Sequence, residues 1–516
     1  MASSKRSVRR NMAQLHTWCG LLAAWLLFAV FLTGTLSYFK ESISLWMQPE
    51  LPSVATNVEW DNRRLADYWQ HYLAEHAPSA RSWQITFPNE RMPVSTAVWF
   101  GVDGREQSVL NPITMELVTP RETLGGDFFY RFHFQLHHLP AVYGRWIIGV
   151  ATMMMFVAII SGVITHQKIL RDFFAFRAHK GARSWLDAHN ACSVLTLPFQ
   201  IMITYTGLIT LMSFYMPWGV ETAFPDADAR RQAIGELHAF PLAGPATGQP
   251  AVLHALGELI DDAEIHWQKP VQAVRVSHPS DAGARVVAWQ SALEELSAHR
   301  PQRLYEASSG ALLEDTQPQR IDEQAHGVMV GLHAGRFADW GMRWIYFALG
   351  AAGCGMVATG LLLWTAKRRR KKGSVVGIWC VERLNITTLA GMPIAVLALL
   401  ASNRLLPVEL SGRAQWEIHV FFAAWLLALL HAISRRSTLQ AWREQLMLVA
   451  LLLLCLPMLD VLTPSYDVQG DLAAGNWQRI SLDLMCLVGA FIIMWQFRRS
   501  DKKVMSCVQA VVKGAP

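Results

Sequence analysis

Charge is scarce in this sequence. Asp, Glu, Lys and Arg make up only 17% of its 516 residues, against 52% hydrophobic residues and 21 tryptophans, a balance that excludes an ordinary soluble enzyme of this length. None of the seven cysteines falls in the two long polar segments at 39–136 and 215–332. Those segments therefore have no disulfide staples and must fold on small cores of their own. No G-x-G-x-x-G follows a strand, and GAAGCG at 350–355 lies inside an apolar run, where small residues mean close helix packing. There is no H-E-x-x-H and no plausible Ser/His/Asp set, which leaves a membrane hydrolase without support. No A-x-A-like cleavage site follows the first apolar run, so it reads as a retained anchor and not a signal peptide.

What the chain has instead is long hydrophobic runs. Eight of them, near 16–38, 143–166, 189–214, 343–366, 385–406, 415–433, 445–462 and 480–497, are each long enough to cross a hydrocarbon core of about 30 Å. Lys and Arg crowd the N-terminus (Lys5, Arg6, Arg9, Arg10), the loop from Lys168 to Arg183, the run KRRRKK at 367–372, the Arg435/Arg436 loop and the tail from Arg498. The positive-inside tendency then places both termini in the cytoplasm and segments 39–136 and 215–332 outside the membrane. The net charge of +6 is thus a topology signal in contact with membrane lipid, not a nucleic-acid footprint. In each external segment a polar helix leads into strand-like alternation closed by turns, as in VSTAVWFGVDGREQSVLNPITMELV and in VQAVRVSHPSDAGARVVAWQ. The expected fold class is an all-α polytopic membrane bundle of about eight transmembrane helices with two small α+β external domains.

The bundle is internally duplicated. His16 is followed at three residues by Cys19 and at 17 by Thr33-Gly34; His189 is followed at three by Cys192 and at 17 by Thr206-Gly207. Arg145-Trp146 precedes Gly162, and Arg343-Trp344 precedes Gly360, each Arg standing 17 before its glycine. A histidine precedes each of these, His137 in FQLHHLP and His333 in VGLHAGR. The unit of helix, external domain and helix is therefore used twice. An axis along the membrane normal would set His16 opposite His189 at the inner face and His137 opposite His333 at the outer face.

Two facing imidazoles, each offering one nitrogen while its other N–H is held by an acceptor, are the ligand set of a six-coordinate haem iron. The bundle interior would supply the apolar walls, and since no CxxCH occurs such a haem would be non-covalent and b-type. A single histidine at a membrane edge is ordinarily an interfacial residue, as Trp18, Trp146 and Trp344 are ordinary belt anchors; it is the two pairs that favour haem. Cys19 and Cys192 read as small packing residues beside a ligand. His166 lies at the inner level and is an alternative to His16 or His189, although its repeat partner is Trp364. His133 and His138 flank His137, which the repeat prefers because His137 and His333 both follow Leu. His419 and His431, 12 residues apart and so about 18 Å along a helix, would serve a third haem or be structural. Arg145 and Arg343, about two turns beyond the outer histidines, are candidate partners for haem propionates or plain interface anchors.

The run GRWIIGVATMMMFVAIISGVITHQKILRDFFAFRAHKGARSWLDAHNACSVLTLPFQIMITYTGL resembles the PepSY-associated transmembrane family, which includes iron-regulated inner-membrane proteins and ferric-siderophore reductases of Gram-negative bacteria. The resemblance covers residues 10 to 410, approximately, with THxKxxxDFFxFR…RSWLDAHN as its most specific block. The external segments would be PepSY-like domains, with NPITMELV and YEASSGALLED in place of the family's DPxTGEV turn. Met115 stands where Gly is usual, and YEASSG lacks the Asp-Pro. The resemblance implies a di-haem reductase in the bacterial inner membrane, carrying electrons from a protein or quinol donor to a ferric-siderophore in the periplasm. Two rivals come from other classes: a non-enzymatic protein whose external domains bind peptide or regulate a peptidase, and an iron-chelate transporter that uses the broken symmetry around Pro198 and Pro393.

Overall fold

The apolar runs fold as helices. The computed structural model describes residues 2–53, 58–101, 104–166, 177, 181–230, 246–317, 320–370, 375–463 and 467–513. Its first half contains α1 (Ala2–Ser37), α2 (Lys40–Met47), α3 (Asn62–His76), α4 (Gly126–Gln135), α5 (Ala141–Thr165), α6 (Ala182–Leu195) and α7 (Leu197–Thr210). There follow α8 (Leu256–Trp267), α9 (Ile321–Ala334), α10 (Trp340–Arg370), α11 (Val375–Ile386), α12 (Met392–Leu405), α13 (Arg413–Ser434), α14 (Thr438–Val461) and α15 (Trp477–Lys513). Among the described residues, seven helices are long and apolar enough to span a bilayer, and α6 with α7 makes an eighth crossing if that pair, bent by 67°, counts as one. Isolated large apolar side chains point outward all along them, Val150, Val157 and Ile160 on α5 and Leu426, Leu427 and Leu430 on α13, as on a multi-pass membrane protein.

The break in the third crossing falls at Thr196, two residues before Pro198. Proline has no N–H to continue the ladder and its ring crowds the preceding turn, so the helix bends there. Between α11 and α12 the chain makes a π turn, Thr387–Gly391. The carbonyl of Thr387 accepts from Trp425 Nε1 at 3.0 Å, so the irregular turn stays satisfied inside the bundle.

Four crossings form a ring: α1 packs on α5 and on α10, α5 on α7, and α10 on α6. The helices after residue 375 form a second group against α1, α2 and α10. Buried ion pairs clamp it at its sheet-side end, Arg404 with Asp460 at 2.6 Å, Arg413 with Glu417 at 2.5 Å and Arg121 with Glu50 at 2.7 Å. Arg404 also stacks over Trp46 at 4.0 Å and donates to its carbonyl, which fixes α2 to these helices.

The two polar segments do not close separate sheets on separate cores, as expected from the sequence. Strands β1 (Ser82–Thr86), β2 (Ser95–Gly101), β3 (Gly104–Asn111) and β4 (Glu116–Val118) of the first join β5 (Val271–Ser277), β6 (Arg285–Gln290), β7 (Gln302–Glu306) and β8 (Leu312–Thr316) of the second in one antiparallel sheet, ordered β4-β3-β2-β1-β5-β6-β7-β8. Equivalent strands meet at the seam, Trp83 opposite Val276 and Ile85 opposite Val274, so the duplication appears as a two-fold axis through the sheet. The core is shared: Trp69, Trp83, Ile85, Ile260, Val274 and Tyr305 belong to one apolar cluster under α3 and α8. The first N–H groups of α8 are capped across the axis, Leu256 N–H to Gln70 Oε1 at 2.7 Å and Gly257 N–H to Asp67 Oδ1 at 3.0 Å, which supplies partners that an isolated helix start lacks. Each half was too small to bury its strands alone. At Met115 the β3–β4 turn has φ 59°, and at Gly310 the β7–β8 turn has φ 75°; the methionine in the place usual for Gly sits in the left-handed region.

Because the seam is shared, Ile85→Ala should cost about 2–5 kcal/mol and open both halves in one step. Pulse proteolysis across a denaturant series checks this: cleavage in 58–101 and in 256–316 at one common midpoint is expected, and two separate midpoints would show that the halves fold independently.

Candidate functional site

The four-helix ring encloses two cavities. One, of about 370 Å³, lies at the end away from the sheet and is lined by His16, His189, Gly162 and Gly360. The other, of about 460 Å³, lies beneath the sheet and is lined by His133, His333, Gly34 and Gly207. Leu27 and Met155 line both and form the wall between them. Along α1 the two levels are 18 residues apart, about 27 Å at the α-helical rise.

At the lower level the rings of His16 and His189 face each other with centroids 6.2 Å apart. His166, the alternative partner, lines the same cavity at the C-terminal cap of α5, but the facing ring is His16. At the upper level the pair is His133 and His333, 6.0 Å apart. This corrects the pairing of His137 with His333. Helix α4 ends at Gln135, and Leu136 and His138 turn away with φ 60° and 59°. His137 therefore leaves the cavity and packs on Phe128 and Phe422, at 5.9 and 5.8 Å. The signal was in the sequence: Pro140 ends the helical reading before HHLP, and His133, one turn back, follows the buried Phe132.

All four histidines are held in the same way. Each Nδ1 donates to a backbone carbonyl on another helix: His16 to Ala158 at 2.8 Å, His133 to Val30 at 2.8 Å, His189 to Met356 at 2.9 Å and His333 to Ile203 at 3.0 Å. In every case that carbonyl stands four residues before a glycine of the repeat, Gly162, Gly34, Gly360 or Gly207. The ring lies on the bare glycine. A Cβ on Gly34 would meet His133 at 2.6 Å, on Gly207 His333 at 2.8 Å, on Gly162 His16 at 3.1 Å and on Gly360 His189 at 3.2 Å. The hydroxyl just before each glycine shares the carbonyl, as Ser161 does with Ala158 at 3.2 Å and Thr359 with Met356 at 3.0 Å. A carbonyl only accepts, so Nδ1 carries the proton and Nε2 of the neutral ring is left as the electron-pair donor toward the cavity.

The fit to a metal held between two rings is close. Nitrogens about 2 Å from either side of a metal place imidazole centres roughly 6 Å apart, and both cavities have volumes in the range of cofactor sites, about 300–1,000 Å³. Cys19 and Cys192 stand beside the histidines without a further ligand set, and among the described residues no group of three or more His, Cys, Asp or Glu is arranged to hold a bare ion.

Other expectations are redirected. Arg145 lies over Phe134 and Phe214, at 5.5 and 4.6 Å, and Arg343 over Phe39 at 4.7 Å beside Ser42; neither lines the upper cavity. His133 and His333 are on α4 and α9, separate from the spans that carry these arginines, so counting turns along one helix did not apply. His431 has both ring nitrogens engaged, by Glu444 at 2.7 Å and Gln445 at 3.2 Å, and His419 stacks on His138 and meets Trp416 edge-on. Most of the THxKxxxDFFxFR block and the end of the KRRRKK run lie outside the described residues. Its final Arg177 is described, and chelates the buried Asp187 through Nε and Nη2 at 2.9 and 2.8 Å. Asp187, two residues before His189, thereby fixes the start of α6.

A family model for the PepSY-associated TM region matches residues 13–367. The chain belongs to this family. The matched stretch holds all four facing histidines and the whole sheet, and stops before α11. An uncharacterized protein of Pseudomonas aeruginosa is 25% identical over 303 residues, 56% of this chain and 75% of its own length.

Filling the two tighter cradles should break the tautomer lock. In Gly34→Ala and Gly207→Ala the ring is pushed off its carbonyl, and nitrogen NMR of the histidines should show His133 or His333 losing its fixed Nδ1–H form while His16 and His189 keep theirs. Unchanged tautomers would mean that the cradle is not what orients the rings.

Proposed function

We propose that this PepSY-family membrane protein is a b-type di-haem electron-transfer protein that reduces a ferric chelate on the sheet side, as a ferric-siderophore reductase of the bacterial inner membrane. The observation that carries the reading is the fourfold repeat of one device: a histidine seated on a glycine, Nδ1 bound to the carbonyl four residues before it, Nε2 facing its partner across a cavity. His16 with His189 would hold one haem and His133 with His333 the other. Each haem, when bound between its two histidines, would supply a one-electron couple suited to electron transfer.

The residues of the chain do the remaining work. The carbonyls of Ala158, Met356, Val30 and Ile203 orient the rings and raise their donor strength. Leu27 and Met155 keep water out of the wall between the cavities, and the low-dielectric bundle favours electron movement over stray proton chemistry. The two sites are stacked along the bundle with only the Leu27–Met155 wall between their cavities, so together they divide a core of about 30 Å into shorter steps. Reduction lowers the charge and hardness of the iron, so a hard oxygen chelator holds it less tightly. The basic N-terminus and loops support placing the lower pair at the cytoplasmic face, where a protein or quinol would donate. A purely peptide-binding or transporter role would leave four identically seated histidines without a task.

A reduced-minus-oxidised visible spectrum of the purified protein should show sharp low-spin b-type bands, and a colourless preparation after haem-supplemented expression would overturn the reading. Replacing His16, His189, His133 or His333 singly by Ala should each remove one haem equivalent, while His137→Ala and His166→Ala keep both. Ferric-chelate reduction in right-side-out against inverted vesicles then gives the direction.

A further inference from the structure

The upper cavity has a basic roof that the histidine pair does not explain. Arg91, from the loop between β1 and β2, Arg300, from the loop between β6 and β7, and Arg336, just after α9, line it together with Lys40. Glu41 is the single acidic side chain in that lining, and it already faces Lys40 at 3.7 Å, which also pairs with Asp127 at 2.9 Å. Among the described residues no carboxylate forms an ion pair with Arg91, Arg300 or Arg336. Their bonds go to neutral acceptors: Arg91 to the carbonyls of Arg336 and Ala338, the latter at 2.8 Å, and Arg300 to Gln272 Oε1 at 2.6 Å. Burial and the neighbouring Arg336 press the Arg300 guanidinium down to about 10, and burial lowers Arg91 as well. Arg91 and Arg300 are half-buried with the exposed Arg336 beside them. Glu41 and Glu90 act on Arg91 without pairing with it, so three guanidiniums gathered without a paired carboxylate are costly alone and are relieved by an anion. Guanidinium forks match paired oxyanions, carboxylates in particular.

We propose that Arg91, Arg300 and Arg336 form an anion-binding site that takes paired carboxylate or catecholate oxygens directly above His133 and His333. This rests on the reading of the upper pair as a haem site for ferric-chelate reduction, and it adds a substrate class: negatively charged chelates are preferred to neutral ones. The oxyanions have two sources, the carboxylates of a haem seated on the pair and an anionic ferric chelate arriving from the sheet side. The site belongs to both halves of the sheet and to α9, so only the joined sheet assembles it.

The test uses the full chain in detergent, loaded with haem, with Arg300→Gln, Arg336→Gln and the double variant. Redox-inert Ga(III) tris-catecholate, of charge −3, and a neutral Ga(III) trihydroxamate are titrated at low and high salt. For a free chelate, the anionic complex binds at least about tenfold tighter than the neutral one, each substitution weakens it by about tenfold, added salt does likewise, and the neutral complex is unmoved. For haem carboxylates, reconstitution with haem dimethyl ester weakens occupancy of the His133–His333 pair in the natural protein and has no further effect in the double variant. Either pattern supports the site. Gallium binding independent of charge, together with ester occupancy equal to that of haem, overturns it. A chain that takes no haem yet binds the anionic gallium complex in an Arg300-dependent way keeps the anion site and sinks the reductase reading.

Discussion

The hydrogen bond from a histidine Nδ1 to the carbonyl four residues before a glycine is the interaction on which the bundle depends. Each joins two elements that the chain keeps far apart: α1 to α5, α4 to α1, α6 to α10 and α9 to α7. A bond of this kind is worth only about 0.5–1.5 kcal/mol, but it is available only if the ring approaches the helix backbone, and that approach needs a residue without a side chain. The glycines are thus what permit the contact. With the ring so seated, its second nitrogen has one direction left, into the cavity. Structure and chemistry share a single requirement.

The sheet has the same logic at larger scale. Two half-sheets of four strands meet along β1 and β5, the helices α3 and α8 pack on the joined face, and the side chains of α3 cap the start of α8. Joining the halves buries Trp83, Ile85, Val274 and Val276, which would each lie at an exposed edge otherwise. It also sets the loops that carry Arg91 and Arg300 over one cavity. A duplicated chain has in this way made one roof for one site.

The helices beyond residue 375 fall outside the family match and hold no facing histidine pair among the described residues. Their buried charges gather at the sheet-side end, where Arg404, Asp460, Arg413, Glu417 and Asn403 interlock with α2 and with the strand exit at Arg121 to Thr123. Such pairs repay their desolvation only with good geometry, and here they fix the angle at which the second helix group meets α1. The π turn at Thr387–Gly391, bound by Trp425, adds a second fixed point halfway down.

Much of this was legible without coordinates. Hydrophobic run length determined where the crossings lie, because a bilayer leaves the backbone no other way to satisfy itself, although the helices of the first, third, fifth and seventh begin seven to nine residues before the apolar runs do. The repeat of His, Thr-Gly and Arg-Trp determined that two units face each other, and with it the pairing of His16 and His189. The tertiary structure decided what separation along the chain cannot express. Whether His133 or His137 meets His333 depended on where α4 stops. Whether Arg145 or Arg300 reaches the cavity depended on which loops the sheet seam brings over it. That Gly34, Gly162, Gly207 and Gly360 seat the rings became visible only across helices, since a glycine in a single apolar run gives no sign of what will lie against it.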